Sequence, residues 1–289
     1  DFAAPQAWLS GGNLRTLFPR LLKGLDITDV VDGFVTAHRG GRAVILAMGA
    51  HVIKCGLSPF LIDMMQRGWL TAIALNGAGV VHDLEVALIG ETSEDVAHGL
   101  DNGDFGMVDE TPRLVNEALR AHDADRCGMG AAVGKAIAEG QYPYKAHSIL
   151  AGAHACGVPV TVHVAIGADT IHMHPSTDGA LLGAATYTDF QKLTLLLRGL
   201  HDGGCYWNIG SAVVLPEVFL KALTLCRNTG HQVKRFMTVN LDMLQHYRSE
   251  TNVVWRPTQD GGRGYTLTGH HEIMLPLLYA MLLQAMQDQ

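Results

Sequence analysis

Residues 42–90 read RAVILAMGAHVIKCGLSPFLIDMMQRGWLTAIALNGAGVVHDLEVALIG, and this stretch decides the fold. RAVILAM (residues 42–48) and LTAIAL (70–75) are short apolar runs without the polar alternation of a half-exposed strand, so both read as strands buried on two faces. Between them Ser58 and Pro59 precede FLIDMMQRG. A hydroxyl that can accept from a free N–H, followed by a ring that presets φ, predicts a helix start capped by Ser58. VVHDLEVALIG then shows helical spacing. Strand, helix, strand, helix in that order requires parallel pairing, because a crossover helix returns the chain to the same edge of the sheet.

The same grammar continues outward. VPVTVHV (158–164), CYWNI (205–209) and RFMTV (235–239) read as further strands, and AAVGKAIAEG (131–140), 188–200 and 217–229 as helices. The expected fold class is α/β, a Rossmann-like doubly wound, mainly parallel sheet with helices on both faces. No linker or repeat divides residues 1–289, so one domain is expected, with residues 1–40 as a helical lead-in. Residues 99–111 (GLDNGDFGMVDET), rich in glycine and acids, read as a surface excursion.

Composition narrows the function. The 289 residues carry 21 Lys+Arg against 28 Asp+Glu, a net charge of −7, and are 48% hydrophobic and 17% charged. Enough apolar surface is present for a core, which argues against disorder. No dense basic cluster exists to displace counterions from a nucleic acid. No apolar run approaches the roughly 18 residues that span a bilayer. Cys55, Cys127, Cys156, Cys205 and Cys226 are odd in number and scattered, so they read as reduced, inert thiols and the expected location is cytoplasmic.

Two crossovers carry small residues where a phosphate approaches backbone N–H groups. Asn76-Gly77-Ala78-Gly79 follows one strand and opens a helix, and Met48-Gly49-Ala50-His51, with Lys54 beyond, follows its neighbour. The third glycine of a full G-x-G-x-x-G pattern is replaced at His82. Histidines supply the second signal: His82, His163, His172, His174 and the His270-His271-Glu272 run. Imidazole is the side chain whose ordinary pKa lies nearest neutrality, which makes His82, His163, His172 and His174 the acid–base candidates. If residues 172–174 are extended, His172 and His174 share a face and could hold a metal with Asp169 or His163. That alternative implies a metal-dependent hydrolase or lyase. Hydrogen bonding without a metal is the preferred reading.

From the crossovers onward the sequence resembles deoxyhypusine synthase, an NAD-dependent enzyme that moves a butylamine unit from spermidine to a lysine of a translation factor. The residues that carry the resemblance are GAHVIKCGLSPFLIDMMQRGWLTAIALNGAGVVHDLEVAL, SILAGAHACGVPVTVHVAIGADTI, Gly210-Ser211-Ala212-Val213-Val214 and NVVWRPTQDGGRGYTLTGHHEIMLPLL, in family order. The resemblance implies NAD as cofactor, held by Ala50, His51, Lys54, Asn76, Gly77, Ala78, Gly79, Gly210, Ser211, Ala212 and His270. It places Asp169 on the polyamine-facing acid and Trp255 on the active-site tryptophan, and it implies a homotetramer with sites shared between subunits, into which the apolar LPLLYAMLLQAM segment would fit. The departures are chemical. The position of the imine-forming lysine is Pro257, which has no amine. Most of the substrate-facing carboxylates are gone, and Arg256, Arg263 and the added histidines suggest carboxylate, phosphate or hydroxyl groups on the substrate. The expected function is therefore transferase or oxidoreductase chemistry with NAD on a small amine or polar metabolite rather than standard hypusine formation. A non-catalytic NAD-binding protein is the other alternative.

Overall fold

The computed structural model describes residues 12–92 and 96–287. Residues 1–11 of the expected lead-in lie outside them. Apart from single turns, the order is α1 (Leu22–Arg39), β1 (Val44–Met48), α2 (His51–Lys54), α3 (Ser58–Gln66), β2 (Ala72–Asn76), α4 (Gly77–Ile89), α5 (Val96–Asn102), α6 (Glu110–Ala121), α7 (Met129–Glu139), α8 (Ile149–Cys156), β3 (Val160–His163), α9 (Gly179–Leu196), β4 (Cys205–Ile209), α10 (Val214–Asn228), β5 (Met237–Asp242), β6 (Arg263–Thr268) and α11 (His271–Gln287).

The six strands form one wholly parallel sheet in the order β3-β2-β1-β4-β5-β6. This is the α/β, Rossmann-like doubly wound class expected from the sequence. The two halves wind outward in opposite directions from β1 and β4, whose pairing runs from Val44↔Cys205 to Met48↔Ile209. A crevice opens where such halves part, beyond the carboxyl ends of the strands.

Alternation along each strand feeds two cores. Val44, Leu46 and Met48 point to one face with Leu75, Trp207 and Leu241, against which α1, α3, α4 and α11 pack. Ile45 and Ala47 point to the other, with Ala72, Ala74, Tyr206 and Phe219, under α9 and α10. Each large apolar side chain so buried contributes about 1.5–3 kcal/mol. The outer edge of β3 is closed by α9: the Thr186 hydroxyl accepts from Val164 N–H at 3.1 Å and donates to Val162 O at 2.9 Å, and Asp189 accepts from Val162 N–H at 2.9 Å. Covering an edge strand in this way removes a template for unwanted pairing.

One local expectation is corrected. Ser58 does not cap α3: Leu57, already near helical angles, is the flanking residue and no side chain caps the helix, because the chain turns straight out of α2 through Gly56 at φ +72°. Residues 99–111 lie largely at the surface, as expected, and include the end of α5 and the start of α6. In the apolar C-terminal segment Leu275, Leu278, Met281 and Leu282 are buried within the chain, where α11 packs on α1. No helix of the described residues is long and apolar enough to cross a membrane.

Candidate active site

At the β1/β4 parting point two glycines touch. A Cβ on Gly49 would stand 2.2 Å from the carbonyl oxygen of Gly210, so only glycine lets the two turns approach this closely. Beside Gly49 lie buried Ala50 and exposed His51. Beyond Gly210, buried Ser211 accepts from Leu215 N–H at 3.3 Å and so caps the first turn of α10. A buried amide ladder fixes this turn: Asn208, on β4, donates to Ser211 O at 2.8 Å and to Asn240 of β5 at 2.7 Å, and Asn240 donates to Gln245 at 2.7 Å.

The imidazole that reaches this point is His271 rather than His270. His270 is exposed, 3.8 Å from Glu272. His271 is only 1% exposed, stacks edge-on to His51 with ring centroids 5.6 Å apart, and faces Gly210. Neither ring nitrogen of His271 completes a hydrogen bond. Burial holds its pKa below the usual imidazole range, opposed by the Asp242 carboxylate. The adjacent pair of histidines signalled this site, but sequence did not say which one turns inward.

On the β2/β3 side a cleft of about 220 Å³ is lined by Lys54, Ala78, His82, Glu85, Phe105 and Asp169, among others. Four of the expected site residues thus meet in one place. Asn76 accepts from Gly79 N–H at 3.0 Å and caps α4. Asp169 lies over the same first turn, its Oδ2 2.0 Å from where a Gly77 Cβ would stand. The helix N-terminus, which favours negative charge, therefore already faces a carboxylate of the chain. Burial pushes the Asp169 pKa up, and the nearby His172, the Ala78 N–H and His82 pull it down.

The two histidines near Asp169 present opposite faces. His82 Nδ1 lies 3.0 Å from Glu85 Oε2 and 2.5 Å from Thr92 Oγ1, and the Thr92 hydroxyl donates to Glu85. Since Thr92 gives its proton to Glu85, its oxygen accepts from His82, which puts the ring proton on Nδ1 and leaves Nε2 as an acceptor. His172 Nδ1 accepts from the N–H groups of Gly167 at 3.0 Å and Asp169 at 3.3 Å, so its proton sits on Nε2, 3.9 Å from Asp169 Oδ2. Glu85 and Thr92 were not singled out from sequence, although the i, i+3 spacing of His82 and Glu85 on one helix face was visible.

The remaining expected residues lie elsewhere. Residues 170–173 form a turn of 3₁₀ helix rather than an extended segment, so His172 and His174 do not share a face. His174 hydrogen-bonds Ser176 at 2.7 Å and Asp109 at 3.1 Å. His163 is buried on β3, 3.0 Å from Thr161, with its pKa lowered by burial to about 4. Among the described residues no group of three His, Cys, Asp or Glu side chains is placed to hold a metal. Trp255, 67% exposed, stands next to Val254, which packs on Gly264 near the start of β6, at the other edge of the sheet from the cleft. Buried Pro257 follows it. Arg256 is held by Asn252 at 2.9 Å, and Arg263 lines a groove with Asp29 and Arg235 at that same amino edge, so neither guanidinium enters the cleft. Of the five cysteines, Cys205 and Cys226 are buried and Cys55, Cys127 and Cys156 are half-buried, all five free.

No protein-family model matches the chain, and no curated protein matches its sequence. Solved structures share its fold. ArgZ, an arginine dihydrolase of the ornithine–ammonia cycle in cyanobacteria, aligns with a TM-score of 0.56 at 17% identity over 92% of this chain and 32% of its own. AgrE, solved as a ternary complex with ornithine and NAD+, aligns with a TM-score of 0.58 at 16% identity over 92% of this chain and 34% of its own. A protein assigned as a deoxyhypusine synthase from Entamoeba histolytica aligns with a TM-score of 0.51 at 9% identity over 92% of this chain and 89% of its own. This chain thus spans about a third of the length of ArgZ and AgrE. At these identities the likeness is one of fold.

Proposed function

We propose that the chain is an NAD-dependent enzyme, distantly related to deoxyhypusine synthase, that acts on a small amine. The observation that carries this reading is the pair of acceptors in the cleft: the Asp169 carboxylate and the free Nε2 of His82 line the same space, which suits a group rich in N–H donors. The misplacement of Arg256 and Arg263 removes the argument for an anionic substrate.

The parting point fits a dinucleotide on its own geometry. The glycine contact and the two orphaned nitrogens of His271 mark a place where a ligand's hydroxyl or phosphate groups would find partners. Ala50, His51, Ser211, Ala212 and His271 would hold it. Asn76 to Gly79 support Asp169 and sit at the cofactor's edge. The ternary complex of AgrE with NAD+ and ornithine supports both ligand classes in this fold. Bound NAD+ would accept a hydride from the carbon that carries the amine. The chain's part is to seat the ammonium on Asp169, to take its proton on His82 Nε2 and so free the nitrogen lone pair that forms the carbon–nitrogen double bond. With Pro257 in place of lysine, no covalent imine to the protein is part of this scheme. A single domain and a four-subunit assembly belong to the same proposal.

Calorimetric titration tests it. Wild type and Asp169→Asn should both give heat with NAD+, and a short primary amine added to the NAD+-loaded protein should give heat with wild type alone. Absence of heat and of any thermal shift with oxidised or reduced dinucleotide would end the reading.

A further inference from the structure

The walls of the cleft are not all of one sign. Lys54, exposed at the end of α2, lines the space whose other walls carry Asp169 and Glu85. Its ammonium forms no hydrogen bond or ion pair with any described residue; the side-chain contacts of this region join His82 to Glu85 and His172 to Asp169. Lys54, Glu85 and Asp169 thus share the lining of one space of about 220 Å³.

That volume is below the roughly 300–1,000 Å³ of drug-sized ligand sites, so the occupant is small. A long triamine needs a trench with negative charge along its length, and an unpaired cation in the wall repels it. Resting on the amine reading above, we infer that the cleft takes a short amino-carboxylate: its ammonium on Asp169 and the Nε2 of His82, its carboxylate on Lys54. The α4 N-terminus does not compete for that carboxylate, because Asp169 already faces its first turn and Asn76 takes the Gly79 N–H. The zwitterion matches the carboxylate of Asp169 with its ammonium and the ammonium of Lys54 with its carboxylate. Lys54 then determines specificity by rewarding the carboxylate and penalising a second ammonium, and it does not enter the chemistry at the amine.

The test uses NAD+-loaded protein and a series of ω-amino acids from glycine to 6-aminohexanoate, each titrated against the n-alkylamine of equal amine-to-terminus length. One length should bind at least about tenfold more tightly than its matched alkylamine, a difference of about 1.4 kcal/mol. In Lys54→Met that preference should fall to within about twofold, through loss of amino-acid affinity, with alkylamines binding no more weakly than to wild type. Alkylamines that bind wild type as tightly as every amino acid would overturn the inference while leaving the amine reading intact. So would a preference that survives Lys54→Met. Loss of NAD+ binding in Lys54→Met would assign the lysine to the cofactor and overturn it as well. No heat from any amine or amino acid, with NAD+ still bound, would remove the amine reading and this inference together.

Discussion

Asp189 is held between backbone donors and away from water. It accepts from Gly130 N–H at 3.0 Å and Val162 N–H at 2.9 Å, and its second oxygen finds no partner. Burial raises its pKa to about 7, against the pull of those N–H groups. Because the folded value lies above the unfolded one, its contribution to stability is complete below about pH 4 and is lost as the pH rises through about 7. Asp189→Asn removes this titration. Between about pH 4 and 7 the stability of wild type, read from thermal melts, should therefore fall relative to the variant by no more than about 1.4 kcal/mol per pH unit. Parallel curves would refute it. His163 acts in the opposite sense: its pKa is lowered to about 4, so its contribution is present above about pH 6.5 and lost as the pH falls through about 4. Asp83, fully buried, accepts from Ser148, Ile149 and Leu150 at the start of α8, with its pKa raised to about 6 by burial. Neither His163 nor the two buried aspartates belongs to the cleft. A histidine or acid in a motif-rich segment is as readily a packing device as a catalyst, and burial separates the two.

Among the elements, the first turn of α4 joins fold to site. Gly77 leaves room for Asp169, and the residues before Asp169, 165–168, are exposed. A methyl group at Gly77 would displace the carboxylate and its loop, while the helix keeps its Asn76 cap. Gly77→Ala should cost at most about 1–3 kcal/mol of stability in a urea melt, since an overpacked site can relax into solvent. Amine affinity should fall at least tenfold in the same protein. Unchanged amine affinity would mean that Asp169 does not seat the ligand. The contact between Gly49 and Gly210 is different in kind, because both partners are backbone at the centre of the sheet and neither can yield cheaply. Strands β1 to β5 were legible from their unbroken apolar runs. Strand β6, RGYTLT, was missed because it is an edge strand with Leu267 as its one fully buried residue, so no apolar run marks it.

For the whole molecule, the question is which apolar surfaces the chain satisfies alone. Leu278 of α11 is fully buried in the core where α11 packs on α1. Leu278→Ala should cost about 2–5 kcal/mol, the range for a large core side chain reduced to alanine. Light scattering on the folded variant should give the wild-type mass. A change in mass with little loss of stability would place Leu278 at a subunit interface instead. The doubly wound order follows from two crossovers that leave β1 and β4 in opposite directions, and it sets His271 and Asp242 on one side of the crevice and Asp169 and His82 on the other.

Local sequence determined the strands of the sheet centre, the helices between them and the small-residue turns at their carboxyl ends, because apolar periodicity and glycine geometry act over a few residues. At the position where the resemblance puts the imine-forming lysine it supplies Pro257, which has no amine. Only the tertiary structure decided that His271 rather than His270 faces the parting point, that His174 and Trp255 stand away from the cleft, and that Lys54 and Asp169 line it together. Those pairings join residues 115 to 220 positions apart or turn on a single rotation about a helix axis. Packing fixes such relations, and no spacing in the chain encodes them.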